Sequence, residues 1–334
     1  MFKKFLAAIL AVTLLAGLAL TAGCGSQQSS NGGQAQEEEI DFPTKPIELT
    51  ILFGAGSAAD LINRKAAELA SKELGQPIAP VNRTGAGGAV GYTHVKNQPP
   101  DGYNLVSISN GVSTAYYAGN MDFNYTAFSG VAQITTEPVT LAVKGDAPWK
   151  DINEFVEYAK ANPGRVRIGN SGLGTFTHLT AVALGNITGA EFNHVPFGQG
   201  LAVASLLGGK IEASVQLAAE IMPQVEAGEV RVLAVTGERR LASLPDVPTF
   251  KEEGIDLPLV LWRGIAVPRG TPEPVIEILE EAFRKAVESE EFIEFAKNMG
   301  ANAEFRRAKE FDEFIAQDDA EIGKLMEQIG MRKQ

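Results

Sequence analysis

Residues 49–64 read LTILFGAGSAADLINR, and the fold turns on how this stretch is parsed. Leu49 to Phe53 is an apolar run of strand type, and from Ala58 onward the apolar positions recur at helical spacing. Between them Gly54-Ala55-Gly56-Ser57-Ala58-Ala59 fits the dinucleotide pattern G-x-G-x-x-G/A, whose glycines let a phosphate approach the backbone at a helix entrance. The same residues hold a simpler device. Ser57 and Asp60 form a capping box, in which Ser57 accepts from the amide of residue 60 and Asp60 returns to the amide of residue 57. Such an entrance stabilises an anion by about 0.3–2 kcal/mol, and a small carboxylate fits it as well as a pyrophosphate does. A nicotinamide site would place an acidic residue about 20 positions on, or a basic one for a 2′-phosphate. Asn82-Arg83-Thr84 stands there. Taken alone, the loop leaves an NADPH-binding oxidoreductase and an anion receptor both open.

Working outward, short strand-like runs alternate with helical periods: strands at 47–53, 78–81 and 103–109, helices at 58–73 and 88–97. The alternation predicts a parallel sheet with helices on its faces. After Pro138 the theme repeats. A strand at 139–143 leads to Asp151, which caps a helix that stops at Asn162-Pro163-Gly164. Strands at 166–169, 192–195 and 211–216 follow, with helices around 178–184 and up to Gly208-Gly209 between them. A strand at 257–267 and helices at 273–288, 290–299 and 308–328 close the chain. Two α/β units are expected, with no internal repeat.

The chain begins Met1-Phe2-Lys3-Lys4, runs apolar from 5 to 22, and reaches Gly23-Cys24-Gly25-Ser26. A basic head, an apolar middle and small residues make an export signal. Cys24 is the single cysteine of 334 residues, so no intrachain disulfide forms. Leu20-Thr21-Ala22-Gly23-Cys24 resembles a bacterial lipobox, with Thr21 where an aliphatic residue is usual, and implies lipidation of Cys24. Residues 25–39, GSQQSSNGGQAQEEE, carry no large apolar side chain and read as a flexible tether. The formal charge of −12 grows more negative when Lys3 and Lys4 leave with the signal. This acidity argues against nucleic acid as a partner.

A second glycine-rich element, Asn170-Ser171-Gly172-Leu173-Gly174-Thr175-Phe176-Thr177-His178, repeats the grammar of strand, small and hydroxyl residues, then helix. Two helix entrances converging from opposite lobes would grip an anion by amides and hydroxyls without an arginine. Gly169-Asn170-Ser171-Gly172-Leu173 fails the nucleophile-elbow pattern at its last position, and His178 is no triad base for Ser171. Three histidines scattered at 94, 178 and 194, with no second cysteine, give no metal spacing. The glycines of 83–91 read as a turn entering a helix.

Taken together, FGAGSAAD (53–60), NRTGAGG (82–88), PPDGYNL (99–105), ANPGRVRIGNSGLGTFTHL (161–179), HVPFGQG (194–200), LPDVPTFKEEG (244–254) and PRGTP (268–272) resemble the substrate-binding proteins of tripartite tricarboxylate transporters, or Bug receptors. The resemblance runs from Pro43 to the C-terminus. It implies an α/β, two-lobed periplasmic-binding-protein fold (type II, Venus flytrap), each lobe a mainly parallel sheet flanked by helices. Residues 1–23 would be the lipoprotein signal, 24–42 the tether, 43–142 with 263–334 the first lobe, and 143–262 the second.

What the family does implies a non-enzymatic solute receptor, without cofactor or metal, that captures a di- or tricarboxylate or related acid. Such a receptor delivers its ligand to membrane subunits of the transporter, acts as a monomer, and is held outside the cytoplasm by its lipid anchor. A sensor for a signalling partner is the related alternative. Residue by residue, the resemblance assigns ligand binding to Phe53, Gly56, Ser57, Ala58 and Asp60 in the first lobe, and to Ser171, Gly172, Gly174, Thr175 and His178 in the second. Asp60 is expected to orient its loop or hold a water, since its charge repels an anion. Gln216, at a strand end, is the candidate for reading the far end of the ligand. Two departures stand out: Ser57 and Ala59 replace the family's usual loop residues, and Phe197-Gly198-Gln199 replaces a Tyr-Lys-Gly pattern.

Overall fold

The computed structural model describes residues 40–197 and 202–332. The signal, Cys24, nearly all of the tether and the Gly198-Gln199 departure lie outside the described residues. In chain order the elements are β1 (Ile47–Ile51), α1 (Ala58–Leu74), β2 (Ile78–Asn82), α2 (Ala89–Lys96), β3 (Asn104–Ser109), α3 (Gly111–Tyr117) and β4 (Phe128–Glu137). Next come β5 (Val139–Lys144), α4 (Ile152–Ala161), β6 (Val166–Asn170), α5 (Phe176–Thr188), β7 (Phe192–Pro196), α6 (Ala202–Leu207), β8 (Ala213–Leu217), α7 (Met222–Glu226) and β9 (Val230–Val235). The chain closes with β10 (Leu261–Pro268), α8 (Glu273–Glu288), α9 (Glu290–Asn298), β11 (Asn302–Arg307) and α10 (Ala308–Gln328). None of the described helices is long and apolar enough to cross a membrane.

Among the described residues the strands form two sheets, ordered β11-β4-β10-β3-β1-β2 and β7-β6-β8-β5-β9. Both are mixed, which corrects the expectation of mainly parallel sheets. β1 lies parallel to β2 and β3, and β6 to β7 and β8, as strand–helix–strand units require. β10 is antiparallel to both β3 and β4, β11 to β4, and β5 to both β8 and β9. The cause lies in how the chain changes sheets. It leaves the first along β4, steps through Pro138 into β5, and returns along β10 beside β4. A strand that leaves and its neighbour that returns run in opposite directions.

Each sheet is covered on both faces. Ile47, Leu49 and Ile51 of β1 pack against Ile62 and Ala66 of α1 and Leu279 and Phe283 of α8. Leu52, Tyr92, Val106, Ile108 and Trp262 meet Phe311 and Ile315 of α10 on the other face. In the second sheet, Leu141 and Ile168 pack with Phe155 of α4 and Leu179 of α5, while Ala142 and Val232 pack with Val203 and Leu206 of α6. α10 serves both sheets: its later residues Ile322, Leu325 and Met326 join the second sheet's core. At 1.5 Å per residue, its 21 residues reach about 30 Å. The crossing itself is locked by a buried ion pair, Arg263 of β10 on Glu137 of β4, with Nη2 donating to Oε2 at 2.8 Å and Nε to Oε1.

Candidate functional site

In open α/β sheets a ligand settles at the carboxyl ends of the strands, where successive connections leave in opposite directions. β1 is such a point: the chain goes from β1 to β2 on one side and then to β3 on the other. β6 is the same point in the second sheet, between β7 and β8. The two glycine loops singled out in the sequence follow these two strands.

The first loop is held open by its own hydrogen bonds. Ser57, extended at φ −69° and ψ 159°, caps α1 by accepting from the Asp60 amide at 3.2 Å. Asp60 returns to Gly56, whose amide donates to Oδ2 at 2.9 Å, and not to residue 57 as the capping box predicts. The Ser57 amide instead donates to the Gly54 carbonyl at 3.2 Å. Gly56 has φ +82°, a left-handed turn that carries the loop one residue beyond the box. The other oxygen of Asp60 accepts from Arg64 Nε and from Asn82 Nδ2, each at 2.8 Å. Asn82 also donates to the Phe53 carbonyl at 2.8 Å and accepts from Arg64 Nη2 at 2.7 Å. Burial opposes ionisation of Asp60, but the Gly56 amide, then Asn82 and Arg64, hold its carboxyl below the ordinary range. Asp60 is an ionised strut with both oxygens engaged, while Phe53 to Gly56 are exposed and the first-turn amides of Ala58 and Ala59 have no helical acceptor.

The second loop differs. Ser171 N–H donates to Thr177 Oγ1 (3.0 Å), Gly172 N–H to Asn170 Oδ1 (3.0 Å), Gly174 N–H to His178 Nδ1 (3.1 Å) and Thr175 N–H to the Gly172 carbonyl (3.3 Å). Thr175 Oγ1 caps α5 and donates to the Gly172 carbonyl at 2.7 Å. The amides of residues 171, 172, 174 and 175 are thus engaged within the loop and its helix turn. Side chains of the first turn of α5 close on the loop, and what it still presents is the Leu173 amide, the first-turn amides of Phe176 and Thr177, and the Ser171 hydroxyl. Gly172 and Gly174 take φ +132° and +71°, and a Cβ on Gly174 would also stand 2.7 Å from Met331 Cε.

Gln216, at the end of β8, reaches this loop: its Nε2 donates to Ser171 Oγ at 3.3 Å. It is fully buried, and its Oε1 has no partner among the described residues, as holds for Ser214 Oγ and Asn170 Nδ2 nearby. His178 is 5 % exposed and works on the loop through Gly174. It is not isolated, contrary to expectation. The rings of His178 on α5 and His194 on β7 meet edge to face at 5.2 Å. Burial first, then His194, pushes the His178 imidazole down to about 4, so it is neutral at physiological pH. Arg83, the residue on which a 2′-phosphate reading depends, instead pairs with Glu48 at 2.8 Å and donates to Thr50 Oγ1 at 3.1 Å. Arg64 and Ser214 were not singled out by sequence reasoning, and Asn82 and Leu173 were named there only in motifs, without a role in the loops. Asn82 carried a legible signal, a polar residue closing a strand beside the switch point. No cluster of metal-ligating side chains occurs among the described residues.

Comparison with known proteins matches residues 62–331 to the family model described as tripartite tricarboxylate transporter family receptor, TctC. A Cupriavidus necator protein, the UPF0065 protein in the gbd 5′ region, is 32 % identical over 306 residues, covering 90 % of this chain and 92 % of its own. A TctC solute-binding protein from Polaromonas, solved without ligand, aligns with a TM-score of 0.80 at 34 % identity, covering 86 % of this chain and 99 % of that one. Two proteins of Rhodopseudomonas palustris, one solved with adipate and one, MatC, with malate, align with TM-scores of 0.72 and 0.67, each at 26 % identity. They cover 87 % and 85 % of this chain and 99 % of each of those.

Proposed function

This chain belongs to the tripartite tricarboxylate transporter receptor family, and from that premise we propose that it is an extracytoplasmic solute-binding lipoprotein. In this reading it captures a small organic carboxylate between two lobes, each built on one sheet, and delivers it to the membrane subunits of the transporter. The observation that carries the reading is the pairing of two glycine loops, each entering a helix at the switch point of its own sheet. The adipate- and malate-bound relatives support the ligand class.

The ligand carboxylate meets the free amides of Ala58 and Ala59 from one side, and those of Leu173, Phe176 and Thr177 with the Ser171 hydroxyl from the other. Phe53, Gly56 and Ser57 shape the first loop and Asp60 braces it. Gly172, Gly174, Thr175 and His178 set the second, and Gln216, bonded to Ser171, offers its free carbonyl oxygen to the part of the ligand beyond the carboxylate. Contacts from both loops are complete only when the lobes close, so binding favours the closed state. Cys24, lipidated after export, anchors the receptor to the membrane. The chain acts without a cofactor and catalyses nothing, in keeping with relatives that are receptors and with an Arg83 already paired.

A thermal-shift panel of citrate, succinate, malate, adipate, glutamate, aromatic acids and NADPH tests the ligand class. A ligand at about 100 times its Kd adds roughly 2.7 kcal/mol, a shift of several degrees. Stabilisation by NADPH alone, with no response to any acid, contradicts the proposal. Labelled-palmitate incorporation that persists in a Cys24→Ala variant contradicts the anchor.

A further inference from the structure

The side chains around the two loops bear on which carboxylate enters. Resting on the receptor reading above, we propose that the cleft selects a monocarboxylate with an apolar body and a neutral polar far end over di- and tricarboxylates. Three observations converge on this. First, each loop presents a large apolar side chain to solvent: Phe53 is 38 % exposed and Leu173 is 63 % exposed. Closing the lobes on an apolar ligand body covers both, whereas a ligand charged along its length leaves them facing ionised groups.

Second, the cations at the cleft-side strand ends are already paired. Arg64 is held by Asp60 and Asn82, Arg83 by Glu48, and Arg263 lies buried on Glu137. Beyond β9, Arg239 faces Glu304 at 2.7 Å and Arg240 faces Glu252 at 2.9 Å. Among the described residues neither loop carries a cationic side chain, and His178 is neutral. One carboxylate is served by the first-turn amides, but a second is desolvated without a counter-ion from either loop.

Third, Gln216 is fully buried, tied to Ser171, and has one end of its amide unpartnered. The open end is the carbonyl oxygen Oε1, which accepts from a hydroxyl or N–H of the ligand and repels a carboxylate.

Calorimetric titration of the lipid-free mature chain with matched pairs tests this: 6-hydroxyhexanoate against adipate, 4-hydroxybenzoate against terephthalate, and citrate alone. The expected result is that the monoacid of at least one pair binds at least tenfold more tightly than its diacid. A diacid or citrate that binds as tightly as any monoacid overturns the selectivity and leaves the receptor reading standing. Failure of every acid to bind removes the receptor reading and this inference with it. A second arm uses Leu173→Arg, an exposed position that folding tolerates. It should improve adipate relative to 6-hydroxyhexanoate by about fivefold, the scale of one exposed ion pair. An unchanged ratio places Leu173 away from the ligand and counts against the inference.

Discussion

Asp60 and Ala58, two residues apart on one turn, have opposite tasks in this account, and substitutions separate them. Asp60→Asn turns one of the two acceptor oxygens, on Gly56 or on Arg64 and Asn82, into a donor and removes the charge that pairs Arg64, and should cost about 1–3 kcal/mol. Since the folded carboxyl sits below its ordinary value, its stabilisation is complete above the unfolded value near pH 4 and is lost as pH falls through the folded one. Melting curves should therefore show wild type and Asp60→Asn converging below about pH 4. Ala58→Asp, in contrast, puts a carboxylate in the first turn of α1, where it favours the helix but repels a bound anion. Melting should change little, while affinity for the acid falls at least about a hundredfold, since like charges in contact cost several kcal/mol. On the second loop the corresponding variant is Leu173→Asp. Gly172 is unsuitable because its φ of +132° strains any side chain whatever space surrounds it. Asp60, Ser57 and the two loops were legible from spacing alone. The Gly56 return bond and the engaged amides of 171–175 were not, because both depend on turns whose direction is set by single left-handed glycines.

At the scale of elements, the strand–helix–strand units were legible because their apolar periods alternate cleanly and their ends are marked, as at Ser57 and Gly75 of α1 and Asp151 of α4. What escaped was the machinery that joins the sheets. β4, FSGVAQITTE, is buried along its whole length and mixes Ser, Gln and Thr with its apolar residues, so no alternation shows. β11, NAEFRR, is a charged edge strand, and α3 begins at Gly111 after Asn110, which makes no side-chain cap. The Glu137–Arg263 pair at that joint gives a sharp prediction. Glu137→Gln leaves Arg263 buried and unpaired and should cost about 3–5 kcal/mol by denaturant unfolding, while Glu137→Gln with Arg263→Met should recover most of it. α10 carries a second test. Burial lifts the Asp318 carboxyl to about 7, although the Asn110 amide donates to both of its oxygens at 3.0 and 2.9 Å. The unfolded chain then loses this proton first, so stability falls as pH rises from about 4 to about 7. Asp318→Asn should flatten that slope in a melting-temperature series, and an unaltered slope would assign it to another group.

For the molecule as a whole, α10 and the paired crossing strands β4 and β10 join the two sheets, and in the proposed function the ligand sits between the loops that follow β1 and β6. The acidic surface does not conflict with an anionic ligand, because the proposed attraction comes from a few amides at two helix entrances rather than from net charge. Closure around the acid is the central claim, and it requires both loops to hold the same molecule. Titration calorimetry of wild type, Ala58→Asp and Leu173→Asp with the acid that stabilises wild type best is the most direct test. The account predicts one binding site in wild type and severe loss in each variant, although the two substitutions lie on different sheets. Unchanged binding in either variant would place the ligand on one lobe alone and contradict the account.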